Sequence, residues 1–234
     1  MKQTQLAVFG ALLAVAGCIE TTGTAPTSTS APTPLSANDP AVQRYSRVVA
    51  NMEPIAEQAC RQRVRSGVNC DFLITLDRDP RKPSNAYQSL DANGRPVLTF
   101  TAAILKDFEN DHELAFVLGH EAAHHIEGHL AEARQNATIG ALVGGGLAVL
   151  LGGGETAVDV GLDVGGSVGA RVYSKDHELE ADALGTRITH AAGYDPVRGA
   201  AFFQRIPDPG DRFLGSHPPN GQRIDTVRRT AAQL

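Results

Sequence analysis

The chain has 234 residues, enough for one well-buried domain or a domain with a tail. Its 26 acidic against 21 basic residues leave a formal charge of −5 with no dense basic cluster, which removes the electrostatic case for nucleic acid as a partner. With 5% aromatics, no Trp and 24 Gly, the core has to be built mainly from Leu, Val, Ile and Ala.

The first element reads as a targeting segment and not as part of the fold. Lys2 supplies a minimal basic region, and Leu6 to Ala16 is an apolar run well short of the ~20 residues that a spanning helix needs. It ends in Val15-Ala16-Gly17-Cys18, which resembles the lipobox of bacterial lipoproteins, with cleavage expected before Cys18. Acylation of Cys18, palmitate in kind, would anchor the chain to a membrane; an ordinary signal peptide followed by a chance cysteine is the other reading. Ile19 and Glu20 place no aspartate after the cysteine, which by resemblance to the Gram-negative sorting rule favours the outer membrane. Residues 19–40, rich in Thr, Ser, Pro and Ala, read as a tether. The expected organisation is a signal peptide over 1–17, a lipidated cysteine and tether over 18–40, and one domain over 41–234.

In that domain, Val42, Tyr45, Val48, Val49, Met52, Ile55 and Ala59 recur at helical spacing, predicting a helix over 41–65 interrupted near Pro54. Cys60 and Cys70 are the cysteines left after Cys18. In an exported, oxidising compartment they are expected to pair, with buried free thiols as the alternative. Asp71 to Leu76 reads as a strand. Two more, starting at Asn85 and at Pro96, flank the turn signal Asp91-Ala92-Asn93-Gly94, so a small antiparallel sheet is expected. A short helix over 102–109 follows, with Asn110 or Asp111 capping a longer one over Glu113 to Ala133. Residues 138–170, punctuated by Gly144-Gly145-Gly146, Gly152-Gly153-Gly154 and Gly165-Gly166, are too short in apolar length to span a bilayer; they read as closely packed helices or a mobile cover. A helix from Ser174 to Ala192 ends at Gly193, and further helices are expected at Pro196 to Arg205 and from Gln222.

The chemistry lies in His120-Glu121-Ala122-Ala123-His124 and in Glu178-Leu179-Glu180-Ala181-Asp182. HExxH projects two imidazoles from one helix face, with Glu121 about 100° around from His120, a position suited to a base and not to a metal ligand. A catalytic zinc takes three protein ligands and leaves a position for water. The extended pattern that would recruit a third histidine is absent, since 127 is Glu and 130 is Leu. A glutamate from the second helix fits better. Glu178 and Glu180 point about 160° apart, so both cannot face one metal. Asp182 lies one turn beyond Glu178, where it can accept the outer N–H of a ligating histidine, and that selects Glu178 as the ligand.

Gly119 through His124, His129, Ser174 through Gly185 with Glu178 and Asp182, and Ser216-His217-Pro218 through Arg223-Ile224 together resemble the M48 family of metallopeptidases. The resemblance implies an α+β, mainly helical, zincin-like domain with a small sheet beside the HExxH helix, and likens Asn85-Ala86-Tyr87 to the family's strand near the substrate cleft. It implies one Zn²⁺ per chain on His120, His124 and Glu178, with Glu121 as the base acting on a zinc-activated water. It also places His217 in the cleft, stabilising the oxyanion or capping the metal, and makes Arg223 a buried cation pairing with an acid of the site. The implied function is a zinc endopeptidase acting on unfolded or misassembled envelope proteins, lipid-anchored on the periplasmic face of the outer membrane. Its expected partners are those substrates, the membrane and envelope assembly machinery, as in protein quality control. The alternative is a chaperone-like or assembly-factor lipoprotein whose peptidase site is latent.

Overall fold

The computed structural model describes residues 35–170, 175–208 and 218–234, with side chains left out over 164–170. Cys18, Ser174, Ser216 and His217, together with the expected signal peptide and most of the tether, lie outside the described residues. Leu35, in the last part of the expected tether, is buried in the core, and its carbonyl accepts a bond from Arg78 Nη1 at 3.1 Å.

Helix α1 runs over Pro40–Arg63, capped by the Asp39 carboxylate on the Ala41 N–H. Val42, Tyr45, Val48, Met52, Ala56 and Cys60 form its buried stripe. The expected interruption at Pro54 does not occur. Pro54 and Ala50, whose carbonyl the missing N–H leaves without its helical donor, both lie on the exposed face, and the stripe holds the helix down on either side. Cys60, in the last turn of α1, is disulfide-bonded to Cys70, 5.7 Å away between Cα atoms. The bridge closes a loop ten residues long in sequence separation, for which chain-entropy arguments give about 3 kcal/mol. Adding a reductant should therefore lower the urea unfolding midpoint clearly; an unchanged midpoint would mean that the bridge constrains nothing.

Strands β1 (Leu73–Asp77), β2 (Ala86–Leu90) and β3 (Pro96–Thr101) form one sheet in the order β1-β3-β2. β2 and β3 pair antiparallel around the turn at Asp91, where Gly94 takes φ 78°. The sheet is nevertheless mixed and not wholly antiparallel, because β1 pairs parallel with β3. Chain direction alternates from β1 to β2 to β3, so the third strand, inserted between the first two, runs parallel to the first. β2 is left as an edge strand.

After the short helix α2 (Ala102–Asp107), α3 spans Asp111–Ile126, with the Asn110 side chain accepting from the His112 and Glu113 N–H groups. Nearly every α3 side chain from Glu113 onward is buried, so this helix is the axis of the core. The expected continuation to Ala133 is broken at Gly128. Its φ of 79° is a left-handed conformation open to glycine at little cost, and α4 (His129–Leu150) starts anew from it. α5 (Glu155–Ala170) returns against α4 as a hairpin. α6 (Lys175–Ala191) packs along α3 and ends at Gly193 with φ 82°. α7 (Pro196–Ala200) and a 3-10 turn over Ala201–Gln204 lead to α8 (Asn220–Ala231), which packs on α6. Arg205 ties this end to the start of α3 by two bonds, 2.9 and 2.6 Å, to the buried Glu113 carboxylate.

Candidate metal centre

α3 and α6 come into close backbone contact at two glycines. A Cβ on Gly119 would fall 2.9 Å from the Gly185 carbonyl oxygen, and one on Gly185 would fall 2.8 Å from the His120 backbone nitrogen. Without side chains there, the helices cross backbone to backbone, and side chains within about two turns of the crossing meet. Gly185→Ala should force the pair apart at a cost of about 1–3 kcal/mol and weaken metal binding in parallel. Thermal unfolding together with zinc titration checks this, and a variant matching wild type in both would show that the spacing is not set here.

What meets across that crossing is His120, His124 and Glu178, all buried. The two Nε2 atoms are 3.0 Å apart, Glu178 Oε2 is 3.5 Å from His120 Nε2, and Glu178 Oε1 is 3.5 Å from His124 Nε2. In a tetrahedral site with bonds of about 2.0–2.1 Å, neighbouring ligand atoms stand roughly 3.3 Å apart. The three donors therefore already have the separations of one face of such a site, and the set can hold a metal ion.

The outer atoms of the two histidines are engaged. His120 Nδ1 lies 3.0 Å from Asp182 Oδ1. The same carboxylate receives Arg223 Nε at 2.8 Å and Nη2 at 2.6 Å. Arg223 is buried, stacks 4.0 Å from the Phe203 ring centroid, and has Nη2 3.5 Å from Glu178 Oε2. Burial acts to raise the Asp182 carboxyl, but Arg223 and His120 outweigh it and hold the group below its ordinary value. For His120, burial is the largest single influence and lowers its pKa, as does Arg223; bonds to Asp182 and Glu178 overcome both and lift it to about 9. Burial, with His120 next to it, pushes His124 well below its usual value. Without metal, then, the surroundings favour the charged form of His120 and the neutral form of His124. In formal charges, Glu121, Glu178 and Asp182 outweigh Arg223 by two, which a divalent cation on neutral imidazoles would cancel.

The sequence reading assigned no contact to His129, which is buried at the start of α4. The turn at Gly128 brings its Nδ1 within 3.0 Å of His124 Nδ1, and its Nε2 is 3.2 Å from Glu180 Oε2. One tautomer set satisfies the chain: His129 Nε2–H donates to Glu180, His129 Nδ1 accepts from His124 Nδ1–H, and the His124 Nε2 lone pair faces the site. The available signal was a histidine five residues after HExxH, but its meaning depends on the break at Gly128. Glu180 is turned away from the three donors.

Glu121 is buried beside His120 on the wall of a cavity of about 580 Å³. Asn85 and Ala86, at the start of the edge strand β2, line one part of it; Ile104, Phe116, Phe202 and Ile206 make much of the rest apolar. Arg223 also reaches this cavity.

A family model described as peptidase family M48 matches residues 54–231. The putative beta-barrel assembly-enhancing protease of Vibrio cholerae is 25% identical over 209 residues, covering 81% of this chain and 43% of that protein. The beta-barrel assembly-enhancing protease of Escherichia coli K12 is 26% identical over 176 residues, covering 70% of this chain and 34% of that one. Its namesake in Yersinia pestis is 28% identical over 149 residues, covering 57% and 30%. This chain spans less than half the length of these curated relatives.

Proposed function

Since this chain belongs to peptidase family M48, we propose that it is a zinc endopeptidase that cleaves unfolded or misassembled proteins of the bacterial envelope. The observation that carries the reading is the buried His120, His124 and Glu178 triplet beside Glu121, at the wall of a cavity bordered by a sheet edge. His120, His124 and Glu178 are the proposed zinc ligands. The zinc, when bound, supplies a Lewis acid that acidifies water and polarises the scissile carbonyl.

Everything else falls to the chain. Glu121 takes the proton from the attacking water and passes it to the leaving amine as the C–N bond breaks. Asp182 and His129 fix the two ligand rings through their Nδ1 atoms, with Arg223 holding Asp182 in place. The edge of β2, which pairs with no further strand among the described residues, can pair with an extended peptide, whose side chain enters the apolar part of the cavity. Only a chain without its own structure can lie extended along that edge, which supports unfolded substrates. The names of the relatives support a role near β-barrel assembly. His217 is proposed to complete the cleft, as oxyanion donor or resting cap, and Cys18 to carry the lipid anchor of a domain whose packed part includes Leu35.

The test is hydrolysis of an unfolded protein by the zinc-loaded chain, with the same protein in its folded state as the comparison. Cleavage of the unfolded form alone supports the reading. Binding of the unfolded form without cleavage would instead support the chaperone-like alternative.

A further inference from the structure

The α4–α5 hairpin is apolar in the wrong places for water. The α4 side of its seam is made of small residues: a Cβ on Gly145 would fall 2.7 Å from Leu162 Cδ2, and one on Gly161 would fall 2.5 Å from the Gly144 carbonyl oxygen. The large side chains of α4 point outward instead. Ile139, Leu142, Val143, Leu147, Val149 and Leu150 are all exposed, Leu150 by 84%, and Leu151 at the bend by 79%. At 100° per residue these α4 positions fill one continuous outer arc. A hairpin folding for water would turn the large side chains of α4 into the seam; small residues facing a partner helix, with a large apolar exterior, are the arrangement of helices packed in lipid.

Charge points the same way. No charged residue occurs from Gln135 to Gly154, while Glu155, Asp159 and Asp163, spaced by four, form an exposed acidic row on the described part of α5. The outer face of α4 is thus built for an uncharged apolar phase, and the acidic row of α5 for water, with Val160 exposed on the flank between them. From Ile139 to Leu151 the arc is about 18 Å long, and no described helix is long and apolar enough to cross a membrane.

We infer that the outer face of α4 lies in the surface of a lipid bilayer of neutral headgroups, with α5 above it in water. The apolar arc of such a helix sits at the headgroup–acyl boundary, and the acidic row on α5 keeps the hairpin from going deeper. The proposal does not rest on peptidase activity. It would orient the cleft relative to the bilayer whatever the cleft does.

The chain contains no Trp, so one introduced residue reports alone. The full chain is prepared as Leu150→Trp and, separately, as Val197→Trp, an exposed site at the start of α7, near the beginning of α3 and so at the other end of that helix from the hairpin. Each is mixed with phosphatidylcholine vesicles carrying brominated acyl chains. Quenching at position 150 and not at 197 is the expected result. Adding Leu142→Glu, Leu147→Glu and Leu151→Glu, all at exposed positions, should cut the quenching at position 150 at least about 10-fold even where the leader or Cys18 keeps the chain on the vesicles, with the thermal unfolding of the chain unchanged. No quenching at 150, or equal quenching at both sites, overturns the proposal. So does a blue-shifted emission at 150 that grows with protein concentration without vesicles, which would give this face to a second copy of the chain.

Discussion

Glu121→Gln is expected to bind zinc at wild-type stoichiometry and to lose about 10²–10⁴-fold in turnover on an unfolded protein, with KM little changed. Glutamine keeps the size and shape of the side chain in a buried position, so the His120–His124–Glu178 geometry has no reason to move. It removes the basic oxygen, and no other side chain named on the cavity wall is an obvious replacement. Asp107 lines the same cavity but belongs to α2, His120 commits its nitrogens to the ligand set and Asp182, and Arg223 is cationic. Turnover and zinc content have to be measured on the same preparation. Turnover within a few-fold of wild type would remove Glu121 from the proton-transfer role. Loss of zinc together with turnover would make it part of the metal-holding structure.

What could be read in the chain was what helix periodicity makes local. His120 and His124 are neighbours because they are one turn apart, and Glu178 with Asp182 repeats that relation on a second helix. The choice of Glu178 over Glu180 needed only the angle per residue, and the two glutamates do point different ways. Gly94 and Gly193 were legible because turn and cap residues carry their conformation with them. Gly128 was not, because a glycine in an apolar helical pattern is usually tolerated, and only its φ ends α3. His129 was lost with it. The same limit explains the sheet: the hairpin β2–β3 is a local object, whereas the parallel β1–β3 pairing depends on where a non-adjacent strand docks. Pro54 misled for the opposite reason, a strong local rule overridden by a buried stripe on both sides of it. The close crossing at Gly119 and Gly185, on which the whole centre depends, has no local signature at all.

Arg223→Ala should cost the metal-free protein about 3–5 kcal/mol of stability, the range for breaking a buried ion pair from one side. The guanidinium is buried, as are the Asp182 and Glu178 carboxylates it faces, and the Asp182 oxygens accept two of its N–H groups. Alanine would strand two carboxylates in the interior and remove the cation stacked on Phe203. His120 is then the one positive group left against them within this cluster. A raised histidine pKa contributes stability that is fully present below the ordinary value near 6.5 and is lost as pH rises through the folded value, here about 9. Because Arg223 itself lowers the His120 pKa, its removal moves the upper end of that window higher. The metal-free variant should therefore lose stability progressively above neutral pH. Zinc should restore a substantial part, since a divalent cation on Glu178 supplies charge the arginine no longer does. Urea unfolding of variant and wild type, with and without zinc and across this pH range, separates the contributions. A loss under about 1 kcal/mol in the metal-free protein would mean that Asp182 is satisfied by His120 alone. The arginine would then serve the cleft it also lines, and not the core behind it.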